Sequence, residues 1–244
     1  MLPEKKYFSQ HGEDGVIEFL HQQLRSKNYK FIEIGCASGD ECNSRYLLEN
    51  GWFGICVDAD ATKVERYRKK GLNGAVYIAE PVTSKSIKTL SDDFYQDPDV
   101  FSLDIDSYDF FIMDWLLKAG FAPKIICVEV NTFLPEYMTV DYKEHFSRYA
   151  IQPQYGLYFG CSHLAYKDLL ERHGYTYCGL ESSNTNAFFS RDCDFIVNAE
   201  DGFQTYFCEK YQMNGEELRK TLEGYPMLDV RSPEYAKRFN EVFA

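Results

Sequence analysis

Phe31-Ile32-Glu33-Ile34-Gly35-Cys36-Ala37-Ser38-Gly39 is the stretch that decides the fold. Its apolar, β-branched opening reads as a buried strand, an acid stands near the strand's end, and two glycines mark the turn that leaves it. Glycine in such a turn lets the backbone approach a ligand closely, because no Cβ intervenes. Nineteen residues after Gly39, Asp58 closes a second apolar run over residues 53–57. A carboxylate at that strand tip is placed to accept both hydroxyls of a ribose.

The same rhythm continues outward. Further strands are expected over residues 75–79, 101–105 and 125–130, with helices over 43–50, 61–70, 83–92 and 108–119 between them. Short apolar runs alternating with amphipathic stretches predict an α/β fold: a mainly parallel sheet with helices on both faces. Upstream, residues 9–24 read as a helix with Val16, Phe19, Leu20 and Leu24 on one stripe. Residues 1–28 are thus expected to form a helical cover over the ligand. Residues 131–158 show little periodicity but many aromatics and prolines, which suits a lid or acceptor loop. A helix over 162–173 and strands over 175–180 and 187–190 complete one catalytic domain, residues 1–200. Residues 201–244 read as a helical extension broken at Gly224–Pro226.

Composition limits the partners. The 244 residues carry 26 Lys and Arg against 38 Asp and Glu, a formal charge of −12. That balance disfavours a nucleic acid, whose binding rests on cations neutralising phosphates. The eight cysteines (36, 42, 56, 127, 161, 178, 193 and 208) form no C-x-x-C pair and several lie in apolar runs, which points to a reducing, cytoplasmic setting. No apolar run approaches the ~20 residues of a membrane helix, and the charged start has no apolar region behind it. Neither a membrane span nor a signal peptide is expected.

The turn also selects the cofactor. A dinucleotide site follows its strand with G-x-G-x-x-G, bringing a helix N-terminus to a pyrophosphate. This chain has E-x-G-x-x-x-G, which favours S-adenosylmethionine (SAM), a ligand with no phosphate and with a sulfonium, an ammonium and a carboxylate. The expected cofactor set is Glu33 near the cationic end, Gly35 and Gly39 in the turn, Asp58 on the ribose, and Ala79 and Glu80 at the adenine. Gln10, Asn43 and Asp104 complete it. A NAD- or nucleotide-dependent enzyme on the same fold, or a SAM-binding protein without catalysis, are the alternatives.

Asp104 and Asp106 stand at the end of the fourth strand, and Glu129 and Asn131 at the end of the fifth. Alternation sends each pair to one side, so four polar groups are expected at the rim where open α/β sheets bind ligands. Crowded carboxylates repel unless they meet a cation or share a proton. An oxygen-rich set of this kind suits Mg²⁺, with Mn²⁺ second, on Asp104, Glu129 and Asn131. Asp106 is the expected proton acceptor, unless it merely caps the following helix. His163 competes for that role, His145 less strongly. Tyr155, Tyr158 and Phe159 are candidates for an acceptor floor, and Lys143, Arg148 and Lys167 are cations available to a phosphorylated or nucleotide-linked acceptor.

In joint order, Tyr7-Phe8-Ser9-Gln10-His11-Gly12-Glu13-Asp14-Gly15, FIEIGCASGD, GWFGICVDAD, LDIDSYD, CVEVN and Asn184-Thr185-Asn186-Ala187-Phe188-Phe189 resemble the FkbM-type methyltransferases over residues 7–191. The resemblance implies a Rossmann-like class I methyltransferase fold with a seven-stranded sheet. It also implies O-methylation of a sugar, a surface-polysaccharide precursor or another small natural-product hydroxyl. A related group, the macrocin-type sugar O-methyltransferases, carries a D-x-D after the fourth strand and an acidic pair after the fifth, and binds Mg²⁺. Asp104 and Asp106 match the first feature; Glu129-Val130-Asn131 departs from the second. A small-molecule acceptor and a homodimer are the partners expected.

Overall fold

The computed structural model describes residues 2–192 and 202–244. In chain order these form α1 (Glu13–Gln23), β1 (Lys30–Ile34), α2 (Arg45–Glu49), β2 (Phe53–Asp58), α3 (Ala61–Arg68), β3 (Ala75–Ala79), α4 (Ser86–Leu90), β4 (Val100–Leu103), α5 (Asp109–Lys118) and β5 (Ile125–Glu129). After them come β6 (Met138–Val140), α6 (Arg148–Ile151), α7 (His163–Arg172), β7 (Thr176–Leu180) and β8 (Asn186–Ser190). The chain ends with α8 (Thr205–Tyr211), α9 (Gly215–Lys220), β9 (Met227–Asp229) and α10 (Pro233–Phe243).

The main sheet has seven strands in the order β3-β2-β1-β4-β5-β8-β7. All pairs from β3 to β5 are parallel, and β8 runs antiparallel between β5 and β7. This is the mainly parallel, Rossmann-like α/β sheet expected from the sequence, with its order reversing between β1 and β4. Alternation along β1 divides the core. Phe31 packs with α1 and α2 on one face, whereas Ile32 and Ile34 pack with α5 and α7 on the other. Burial of each such side chain contributes roughly 1.5–3 kcal/mol, so both faces of the sheet must be covered.

Several expectations are corrected. The first helix starts at Glu13, not at residue 9. Before it the chain forms a strap, because Asp14 Oδ2 accepts the backbone N–H groups of Tyr7, Phe8 and Ser9 at 2.9, 2.7 and 2.8 Å, a pattern a helix cannot offer. The fourth strand stops at Leu103, and Asp106, three residues further on, takes a left-handed φ of 56°. Residues 131–158 hold β6 and α6, and β6 pairs antiparallel with β9 in a second, two-stranded sheet. The aperiodic segment is therefore tied to the C-terminal one. The expected boundary between residues 200 and 201 lies outside the described residues, as does Cys193. Six cysteines, at 36, 42, 56, 127, 161 and 178, are buried. Among the described residues, no helix is long and apolar enough to cross a membrane.

Candidate functional site

Open α/β sheets bind ligands beyond the carboxyl ends of their strands, where the strand order reverses. A cavity of about 480 Å³ lies there, lined in part by Gly35, Asp58, Glu80, Asp104 and Asp106. Gln10 reaches it from the N-terminal strap, held in place by the amide contacts of Asp14.

The turn after β1 is built by carboxylates. Asp58 Oδ2 accepts the N–H of Ala37 at 2.8 Å, and Asp58 Oδ1 accepts the N–H of Asp60 at 2.8 Å. Both oxygens keep further lone pairs, and the side chain lines the cavity half-buried. Gly35 has φ 95°, and a Cβ on it would meet the Asp104 carbonyl oxygen. Glycine is needed here so that the tips of β1 and β4 can cross.

Glu33, Gly39 and Asn43 have different duties from those expected. Glu33 points sideways under α2, not over the rim: its carboxylate accepts the N–H groups of Asn43 at 2.8 Å and Ser44 at 3.1 Å, together with the Ser44 hydroxyl. It is 3% exposed and lies outside the cavity lining. Burial pushes its pKa up to about 7, against the opposing pull of those hydrogen bonds. Gly39 makes room for the ring of Tyr67, which a Cβ would strike at 2.3 Å. The Asn43 amide donates to Ser102 Oγ at 3.0 Å. These residues shape the turn from beneath. Ala79 closes β3 and is exposed beside the lining residue Glu80.

The acid cluster is present with one member changed. Single oxygens of Asp104, Asp106 and Glu129 all lie within 4.8 Å of one another. Glu129 is 7% exposed and its Oε2 has no hydrogen-bond partner. Burial pushes Asp104 and Glu129 well above the usual carboxylate range, and the charges of Asp106 and Asp109 push both the same way, against the Glu129 hydrogen bond on Asp104 and the charge of Arg148. Such a group either holds a shared proton or takes a cation. Asn131 is outside the cluster: its Nδ2 donates to the carbonyls of Leu157 and Phe159 at 2.7 and 2.9 Å, and its Oδ1 accepts the N–H of Phe133 at 3.0 Å. The amide is committed to the backbone of the 131–160 segment and is not the metal ligand that its spacing from Glu129 predicts.

Asp106 does not cap α5. The N-cap of α5 is Tyr108, with no side-chain cap hydrogen bond; Asp109 accepts the N–H groups of Ile105 and Ser107 in the preceding loop at 2.8 and 3.0 Å, while Asp106 Oδ1 pairs with Arg148 at 2.5 Å. Asp106 therefore stays on the cavity wall. His163 opens α7, half-buried and outside the cavity, because the helix start is fixed beside β6 by Ser162 N–H donating to Met138 O at 2.9 Å. His145, the weaker candidate, lines the cavity with Glu144 and Phe146. Tyr108, not among the residues expected at the site, also lines it and stands 4.3 Å from Tyr142 and 6.2 Å from Phe146 between ring centroids. Its only signal in the sequence is a place two residues past the D-x-D. Tyr155, Tyr158 and Phe159 lie outside the lining; Tyr158 and Phe159 belong to a separate apolar cluster, against which Tyr155 packs.

The residues present fit both groups the sequence implies. A strand-tip carboxylate, a glycine crossing and a cavity of this volume suit a nucleoside ligand. Three convergent carboxylates with an unpartnered buried oxygen suit a hard divalent cation.

No family model and no curated protein matches this chain. The resemblance to the FkbM type thus rests on the motifs alone. Among solved structures, the chain is similar to the CurJ carbon methyltransferase (14% identity, TM-score 0.46, covering 74% of this chain and 53% of that one). It is similar to the plantazolicin methyltransferase BamL in complex with a triazolic desmethylPZN analog and SAH (15%, 0.43, covering 68% and 64%). A third is an O-methyltransferase from Bacillus cereus in complex with SAH (15%, 0.46, covering 72% and 78%). The chain spans only 53% and 64% of the length of the first two.

Proposed function

We propose that this chain is a SAM-dependent methyltransferase acting on a hydroxyl of a small acceptor, with a sugar or surface-polysaccharide precursor as the acceptor class that the FkbM resemblance implies. The observation that carries the reading is one cavity bounded by Asp58 and the Gly35 crossing on one side and by Asp104 and Asp106 on the other. It offers a ribose-binding acid and a proton-accepting acid across the same space.

In this reading Asp58 accepts the ribose hydroxyls, Glu80 faces the adenine, and Gln10 closes over the ligand from the strap. SAM supplies an electrophilic methyl on a sulfonium. Asp106 receives the proton of the acceptor hydroxyl, and His145 is the second group able to do so. Tyr108 and Phe146 present ring faces to the acceptor. Asp104, Asp106 and Glu129 are the groups that would hold Mg²⁺ or Mn²⁺, whose chemistry is to lower the pKa of a bound hydroxyl.

Thermal-shift titrations with SAM, S-adenosylhomocysteine, NAD and ATP test the cofactor. A rise in melting temperature with the first two alone supports the reading, because only a ligand of the folded state stabilises it. A rise with NAD or ATP alone would replace it with the dinucleotide or nucleotide alternative. Mass spectrometry of surface-glycan precursors incubated with isotope-labelled SAM then tests transfer.

A further inference from the structure

Asp106 has an unusual support. Its carboxylate meets Arg148 of α6 at 2.5 Å, with the arginine side chain 17% exposed and the aspartate 53% exposed. The guanidinium lies over the rings of Phe159 and Phe207, 4.8 and 5.8 Å from their centroids, and both rings are buried. Asp106 itself sits at φ 56°, a region an L-residue enters only when its surroundings hold it there. An ion pair with so exposed a partner adds little net stability. Sinking an arginine among aromatics to make it is hard to explain by folding alone.

What delivers Arg148 is the C-terminal segment. Gln152, at the end of α6, donates to Thr221 O at 3.0 Å, Tyr211 Oη donates to Tyr155 O at 2.6 Å, and Tyr158 Oη donates to Pro226 O. The strand pair β6–β9 adds backbone bonds, and Phe207, Leu218 and Leu222 pack on Phe133, Leu157 and Phe159. None of these residues lines the cavity, yet all of them hold the 131–160 segment, which carries Arg148.

The geometry points to Arg148 as a positioning residue for Asp106, with residues 202–244 as the frame that holds it there. The inference rests on the reading of Asp106 as proton acceptor. Its structural half does not depend on any acceptor being known.

The test uses the full chain with Arg148→Met, which keeps an apolar stem over Phe159 and Phe207 but removes the charge, and Arg148→Lys, which restores it. Hydrogen–deuterium exchange of residues 104–108 is expected to quicken at least ~10-fold in R148M and to return most of the way in R148K, with β1 to β5 unchanged. Labelled-methyl transfer from SAM into the glycan-precursor pool is expected to fall ~100-fold in R148M, the cost of a misplaced catalytic group. S-adenosylhomocysteine affinity should stay within about twofold of wild type, since Arg148 is outside the cavity lining. Unchanged exchange at 104–108 would overturn the inference, and so would quickening spread evenly over the sheet, which marks a merely structural residue. Failure of the wild type to bind S-adenosylhomocysteine would instead sink the methyltransferase reading, leaving the exchange result to decide the role of Arg148.

Discussion

Gly35 and Asp104 cross so closely that a Cβ on Gly35 would lie 1.6 Å from the Asp104 carbonyl oxygen. The crossing joins the tips of β1 and β4 at the point where the strand order reverses, and Asp104 N–H donates to Ile34 O at 2.9 Å just beside it. The two halves of the cavity, one bearing Asp58 and the other bearing Asp106, thus share a wall made of backbone.

Gly35→Ala should therefore be costly in a way no neighbouring side chain can relieve. The new methyl meets backbone, and φ 95° adds strain of its own. A loss of ~3–5 kcal/mol is expected in urea unfolding, at the upper end for single substitutions. S-adenosylhomocysteine binding should be abolished with it. A variant of wild-type stability would show that the strand tips are not locked together.

Glu33 gives the protein a pH signature. Burial raises its folded pKa to about 7, whereas the unfolded chain titrates near ~4.3. Between those values the folded state keeps a proton that the unfolded state releases, so its contribution is full below ~4.3 and is lost as pH rises through 7. Asp109, raised by burial to about 6, acts in the same direction. Unfolding free energies at pH 5 and 8 should show a fall that shrinks by on the order of 3 kcal/mol in Glu33→Gln. Equal falls in both proteins would remove Glu33 as the source.

The sheet was legible because central strands such as Phe31–Ile34 announce themselves as apolar runs between turns. Asp58 was legible because it ends such a run. What the sequence concealed were the roles of residues whose direction depends on one backbone dihedral. Glu33 and Asp106 both look like rim acids, yet Glu33 lies within a strand and follows its alternation into the layer beneath α2, while Asp106 lies past the strand end at φ 56° and stays on the wall. Asn131 keeps the spacing of a ligand but is claimed by carbonyls 26 and 28 residues away, contacts that exist only once the 131–160 segment has folded. The pairing of β6 with β9 was hidden for the same reason: each strand is three residues long, too short to show a period.

Asp99 should prove a stability residue remote from the cavity. It is fully buried, just before β4, and accepts from His21 at 3.0 Å, Lys124 at 2.8 Å and the N–H groups of Asn28 and Tyr29 at 2.8 Å each. Burial alone would raise its pKa, but these partners outweigh it and hold the group at about 2. Its contribution is present above the unfolded value of ~3.9 and is lost as pH falls through 2. Asp99→Asn leaves the Lys124 ammonium facing a neutral amide and disturbs a buried hydrogen-bond set, and ~3–5 kcal/mol is the expected loss at pH 7. The gap between wild type and variant should close as pH approaches 2, with S-adenosylhomocysteine affinity unaltered at pH 7. A gap that stays constant with pH would exclude the charge as its cause.

Glu129 offers the sharpest test of a cation at the acid cluster. Its Oε2 is buried without a partner beside Asp104 and Asp106, and the single charge of Arg148, paired directly with Asp106, is set against three acids. If a divalent ion completes the set, millimolar Mg²⁺ or Mn²⁺ should raise the melting temperature by several degrees, equivalent to ~1–3 kcal/mol of binding linkage, and EDTA should reverse the rise. Glu129→Gln should melt at or above the wild-type temperature in EDTA, because a neutral amide relieves the crowding of acids, and should lose the response to metal. The alternative, in which Asp104 and Glu129 simply share a proton, predicts no response to either ion in either protein. It also predicts a wild type whose stability falls as pH rises and the shared proton is surrendered, a fall that Glu129→Gln would reduce with or without EDTA.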